Sequence, residues 1–122
     1  MTNEKKLTKA DLNQFTGSET WYRHAINRKV LYTEGAQYLA EHGGAYWLLD
    51  AIAIAQAHVE EVAVQEFQVW TLRVANDRTA ILKCENGNGK AVYLQAIAFT
   101  DFPLPEVTLY YCNNVIHLPS EY

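Results

Sequence analysis

GGAYWLLDAIAIAQAHV, residues Gly43 to Val59, holds a single formally charged side chain, Asp50, and is followed at once by the acidic pair Glu60 and Glu61. A helix so apolar in a chain of 122 residues has to be the one around which the fold is built. Ala45, Leu48, Leu49, Ile52, Ala55 and Val59 recur at helical spacing and form its core stripe. Trp47, Ala51 and Ile54 widen that stripe into a second apolar face, which leaves Tyr46, Asp50, Ala53, Ala57 and Glu60 for a narrow outer strip. Such a helix is either covered on most sides or shared with another molecule. A homodimer, through the exposed aromatics of this helix or through a sheet edge, is therefore expected.

Upstream of this stretch, Gly43-Gly44 breaks a preceding helix that Thr33 caps, with Glu34 on its positive end. Thr8 opens a further short helix, with Asp11 placed for a capping box and Leu7 and Leu12 for a hydrophobic staple; Gly17 ends it. Lys29 to Tyr32 (KVLY) is rich in β-formers and predicts a short strand, whereas Ser18 to Asn27 has no clean period and reads as irregular chain or a helical turn. Met1 to Lys6 is polar and expected to form a flexible tail.

Downstream, the period changes to two after Gln65. Phe67 to Ala75 and Thr79 to Glu85 alternate about the turn Asn76-Asp77-Arg78. A three-residue loop pairs Val74 with Ala80, Leu72 with Leu82 and Trp70 with Cys84, keeping the apolar members on one face; a two-residue loop would oppose Trp70 with Lys83. Asn86-Gly87-Asn88-Gly89 is a strong turn signal and leads into a strand over Lys90 to Phe99, with Ala91, Tyr93, Ile97 and Phe99 on one side. The proline-marked loop TDFPLP precedes a strand at Val107 to Cys112, and Asn113-Asn114 turns into Val115 to Leu118. The expected fold is a single α+β domain over residues 1–122. Its N-terminal helices pack on an antiparallel β-meander of four to five strands, with the long helix across one face.

Composition bounds function. The chain is 49% apolar with a net charge of −4 and a pI near 5.5. No track of basic residues is present, so nucleic acid is not an expected partner. The apolar stretch is too short to span a bilayer comfortably and contains Asp50, Gln56 and His58, so no membrane association is expected and the predicted location is cytoplasmic. Cys84 and Cys112 lie far apart in strand-like segments, outside any CxxC pattern, and read as reduced core thiols. The four histidines have no metal-ligand spacing, and no sequence pattern implies a cofactor. ENGNGK, residues 85–90, has the look of a phosphate loop but lies between two strands, with no helix N-terminus to hold an anion.

One constellation has chemical content. Trp21, Tyr22, Arg23 and His24 can meet Tyr46, Trp47 and Asp50, giving an aromatic-walled cleft with a cation, an imidazole and a carboxylate. The competing reading is structural: the tryptophans are core and Asp50 balances Arg23 or Arg28.

The runs FTGSETWYRH (residues 15–24), LYTEGAQYLAEHGGAYWLLDAIA (31–53), EFQVW (66–70) and TDFPLPEVTLYYCNNVIHLPSEY (100–122) resemble a domain-of-unknown-function family of small proteins from bacteria, plasmids and phages. The resemblance implies one cytosolic bacterial domain, as in an accessory factor of a mobile element, and supplies no catalytic residue. Two function classes follow. One is a non-enzymatic module binding a protein partner or itself; the other is a small-molecule binder or enzyme using the aromatic, His24 and Asp50 cleft.

Overall fold

The computed structural model describes residues 7–17 and 20–122, so the expected tail at residues 1–6 lies outside the described residues, as do residues 18 and 19. Thr8 caps helix α1 (Lys9–Asn13) with the anticipated capping box: its hydroxyl accepts from the Asp11 N–H at 3.2 Å, and the Asp11 carboxylate accepts from the Thr8 N–H at 3.0 Å. Leu7 and Leu12 are both buried. The chain then forms a hairpin of β1 (Trp21–Arg23) and β2 (Leu31–Thr33). Helices α2 (Glu34–Gly43), α3 (Tyr46–His58) and α4 (Glu60–Ala63) follow. Gly44, at φ 61°, ends α2 in the left-handed conformation that glycine adopts without steric cost and reverses the chain into α3. The remaining strands are β3 (Phe67–Val74), β4 (Ala80–Asn86), β5 (Ala91–Ile97), β6 (Glu106–Cys112) and β7 (Val115–His117), and a 3-10 turn covers Pro119–Glu121.

The described strands make one seven-stranded sheet in the order β1-β2-β7-β6-β3-β4-β5. The α+β class holds, but two expectations are corrected. First, there are seven strands rather than four or five, and two precede α2. The segment read as irregular contains β1, three residues long and therefore without a measurable period, which exists because Tyr22 pairs with Tyr32 across the hairpin. Second, the C-terminal half is not a meander. β3, β4 and β5 are joined by hairpins, and β6 returns to the far side of β3, the spatial order of a Greek key. Arg78, at the tip of the β3–β4 turn with φ 71°, holds that crossing connection. Its side chain donates to the carbonyls of Thr100 at 3.0 Å and Phe102 at 2.7 Å. Phe102 is fully buried, and its ring sits where a Cβ on Gly43 would have to go.

The β3–β4 register is the expected one: Val74 with Ala80, Leu72 with Leu82, Trp70 with Cys84. Asn113 and Asn114, both at positive φ, turn β6 into β7. The expected stripe is buried at Ala45, Leu48, Leu49, Ile52 and Ala55, at most 1% exposed, while its last member, Val59, is only partly buried. The outer strip needs correction. Ala53 is fully buried because the β1–β2 connection lies over it, with the Asn27 side-chain amide donating to the Ala53 carbonyl at 2.8 Å. Ile54, expected on the second apolar face, is exposed instead.

A buried amide network ties the helices to the sheet. Gln68, fully buried, exchanges reciprocal hydrogen bonds with Gln56 of α3 at 2.7 and 2.9 Å. It also donates to the Val62 carbonyl at 2.8 Å and accepts from the Trp70 indole at 2.9 Å. On the opposite face of the sheet, Phe67, Tyr110, His117 and Tyr122 form an aromatic cluster, with Tyr122 stacked on His117 at 5.6 Å.

The C-terminus closes the fold at the start of α2. Thr33 ends β2 and caps α2 by accepting from the Ala36 N–H at 3.1 Å. The Glu121 carboxylate accepts from the Thr33 hydroxyl at 2.6 Å, from the Gly35 N–H at 3.2 Å and from the Leu118 N–H at 2.9 Å. An anion is thereby placed on the positive end of a ten-residue helix. Gly35 leaves room for that carboxylate: a Cβ would stand 2.5–2.8 Å from it, so an alanine there would make the Glu121 side chain shift.

Two predictions follow from these contacts. Gly35→Ala and Glu121→Ala should each cost about 1–3 kcal/mol by urea denaturation, and the double variant less than the sum, because both remove the same contact. The second concerns His117, whose Nε2 is buried with no hydrogen-bond partner among the described residues. Burial holds its pKa below the usual 6.5, against smaller upward effects from the Val115 carbonyl and Glu121. The unfolded chain therefore binds more protons in this range. The stabilising contribution is complete above pH 6.5 and is lost as pH falls through that value toward the lower folded pKa. Thermal melts should show wild type losing Tm more steeply below pH 6.5 than His117→Phe.

Candidate functional site

The site grows from the β1–β2 connection, which folds back on itself and clasps α3. His24 donates its backbone N–H to the Val30 carbonyl at 2.9 Å, and Val30 donates to Asn27 at 3.0 Å. Inside this tight loop the His24 ring is 4% exposed. Its Nδ1 accepts from the backbone N–H groups of Ile26 at 3.2 Å and Asn27 at 3.0 Å. An atom that accepts two N–H bonds carries no proton, so the ring proton is on Nε2 and is donated to Asp50 Oδ1 at 2.7 Å. The loop thus chooses the tautomer, and the tautomer orients the carboxylate. Asp50 remains half-exposed, its side chain 46% accessible.

On one flank of Asp50 lie three tyrosines. Tyr22 stacks on Tyr32 across the hairpin at 5.6 Å. Burial, then Tyr22, then the Asp50 charge raise the Tyr32 phenol above its usual pKa. Tyr46, one turn before Asp50, is pushed up to about 12. Burial of its hydroxyl is the largest cause, followed by a hydrogen bond to Glu41, the Glu41 charge, and the neighbouring Tyr32 and Tyr22. Part of its ring remains in solvent. The phenols of Tyr32 and Tyr46 therefore stay protonated at neutral pH, beside two carboxylates.

On the other flank, α3 and β5 enclose an open groove of about 320 Å³, lined by Trp47, Asp50, Ala51, Ile54, Ala55 and Val59 with Tyr93 and Gln95 opposite. Asp50 is the only ionisable carboxylate of that lining.

Of the seven residues expected to meet, Tyr22, His24, Tyr46, Trp47 and Asp50 lie on this side of the molecule. Trp21 and Arg23 do not, because successive residues of a strand point to opposite faces. Trp21 is exposed, and the Arg23 guanidinium donates to the Arg28 carbonyl. Asp50 thus pairs with His24 and with neither arginine. Sequence reasoning missed Tyr32, Glu41, Tyr93 and Gln95. Glu41 had a local signal, since the Gly43-Gly44 reversal returns the end of α2 to the start of α3; Tyr93 and Gln95 arrive only through the sheet.

The remaining reactive groups are committed elsewhere. Cys84 is fully buried opposite Trp70, and burial with the Glu85 charge pushes its thiol up to about 12; burial also raises Cys112. Both cysteines are free thiols. Among the described residues no three His, Cys, Asp or Glu side chains are grouped to hold a metal, and no helix is long and apolar enough to cross a membrane.

Fold and site together define a two-layer α+β domain with an acidic, tyrosine-lined surface on its helical side. The chain belongs to DUF6876, a family of unknown function whose family model matches residues 6–122. No curated protein and no solved structure matches it.

Cys84 provides a check on the packing of the β3–β4 face against the helices. A thiol reagent followed by mass spectrometry should label Cys84 in native protein on the order of a hundredfold or more slowly than in urea, because neither access nor thiolate is available in the fold.

Proposed function

We propose that this domain is a non-enzymatic protein-interaction module that docks an extended segment of a partner protein along β5. The supporting observation is the character of that edge. β5 has seven residues, AVYLQAI, with no charge and no proline, and Leu94 is 62% exposed. Sheet edges are ordinarily blunted by shortness, charge, proline, a bulge or a covering element. The opposite edge, β1, is blunted in this way: it has three residues and carries Arg23. β5 carries a bulge at Val92, and the stretch Tyr93–Ile97 beyond it pairs with β4 in regular register. That uncharged stretch beside an apolar groove is the geometry of strand addition, in which main-chain hydrogen bonds give affinity and side-chain pockets give selectivity.

The non-enzymatic reading is supported by the commitment of the site's groups. Both His24 nitrogens are engaged, and neither thiol has an environment that favours thiolate. The resemblance to bacterial, plasmid and phage proteins supports a cytoplasmic accessory factor of a mobile element as the setting, with a host protein as partner. A second reading has the same edge pairing with a second copy as a homodimer. Its support is that antiparallel β5–β5 pairing would oppose no like charges, the strand having none.

The test is the double variant Leu94→Lys/Ala96→Lys, which alters exposed positions and should change stability by no more than about 0.5 kcal/mol at each. Tagged wild type should retain a specific host protein that the variant loses. For the second reading, light scattering should give a dimer at roughly 10–100 µM that the variant converts to monomer, since blocking an edge removes its ladder. Equal retention of the host protein by wild type and variant, with a monomer throughout, would sink the edge assignment.

A further inference from the structure

We propose that the groove beside Asp50 receives a lysine or arginine side chain carried by the segment docked on β5. The proposal rests on the reading of the chain as a strand-addition module and names what that module selects.

Asp50 has one strong partner, the His24 Nε2–H, and among the described residues no lysine or arginine lies within ion-pair distance of it. A buried, tautomer-locked ring thus holds in place a carboxylate whose charge no cation balances. Glu41, across the Tyr46 hydroxyl, adds a second negative charge to the same surface. Anionic guests, phosphates included, are disfavoured there by repulsion.

The groove lining is aromatic and aliphatic with one carboxylate, the composition a long cationic side chain needs. Ala51 and Ile54 offer apolar surface to a methylene stem, and Trp47 and Tyr93 bring aromatic rings, which attract cations, with Asp50 in the same lining to receive the head group. Register supports the same guest. Tyr93 and Gln95 project from β5 toward α3 and line the groove. A strand added to β5 would project every second side chain to that same face, the one on which the groove lies.

The experiment uses acetylated, amidated pentapeptides Thr-Val-X-Val-Thr with X as lysine, arginine, norleucine or glutamate, titrated into the full-length protein and followed by the Trp47 and Gln95 amide signals in NMR. The lysine and arginine peptides should bind about tenfold or more tightly than the norleucine peptide, about 1.4 kcal/mol, and the glutamate peptide weakest. Asp50→Asn should erase the preference, bringing the lysine, arginine and norleucine peptides to within about twofold of one another. Should Asp50→Asn fail to fold, Glu41→Gln, at an exposed position, should reduce the preference in part. Equal affinity whatever X is, unchanged by Asp50→Asn, overturns the cation pocket and leaves edge docking standing. Failure of every peptide, with n-butylammonium still shifting the Trp47 signals in an Asp50-dependent way, overturns edge docking and assigns the pocket to free ammonium compounds.

Discussion

The parallel ladder between β2 and β7 ties the N-terminal hairpin into the sheet. It consists of Leu31 opposite Val115 and Tyr32 opposite Ile116, with the Leu31 N–H on the Asn114 carbonyl at 2.8 Å. A hairpin of two three-residue strands does not persist alone in water; it is seated on the one core that helices and sheet share. The ladder adds the hairpin to that core, and Glu121 secures it from the other side by bonding the residue that ends β2 and the helix that follows. The only parallel pairing among the described strands therefore carries the largest separation in sequence, a costly contact that needs such a fastening.

The site inherits its geometry from that joint. β2 positions the β1–β2 connection, the connection fixes the His24 tautomer, and His24 orients Asp50. The acid on the helix surface is thus oriented by a chain of contacts that begins at the penultimate residue. Its flanks have different origins. The tyrosine side is built by the hairpin and the turn between α2 and α3, and the groove side by β5 at the far end of the sheet.

Much of the local structure was legible in the residues. The Thr8–Asp11 box, the Thr33 cap, the apolar stripe of α3, the three-residue β3–β4 turn and the Asn113-Asn114 turn all follow from interactions within a few positions. The elements that escaped are held by distant partners. β1 is too short to show a period, β6 reaches β3 through a connection that Arg78 bonds from the β3–β4 turn, and Gly35 meets a carboxylate 86 residues away. In the site, Asp50 and His24 could be proposed from residue type. The face each of Trp21, Tyr22 and Arg23 takes could not, because it depends on recognising a three-residue strand.

The amide pair Gln56–Gln68 has a consequence for the uniqueness of the packing. α3 is apolar around most of its circumference, so hydrophobic burial alone distinguishes poorly between one rotation or translation of the helix and the next. Two amides that satisfy each other, a helix-end carbonyl and an indole fit together in a single alignment, and any slip would strand fully buried polar atoms. The pair acts as an index pin between helix and sheet. Leucines in both positions would preserve the burial yet free the helix to sample neighbouring settings, and the groove, whose two walls are α3 and β5, would lose its fixed width.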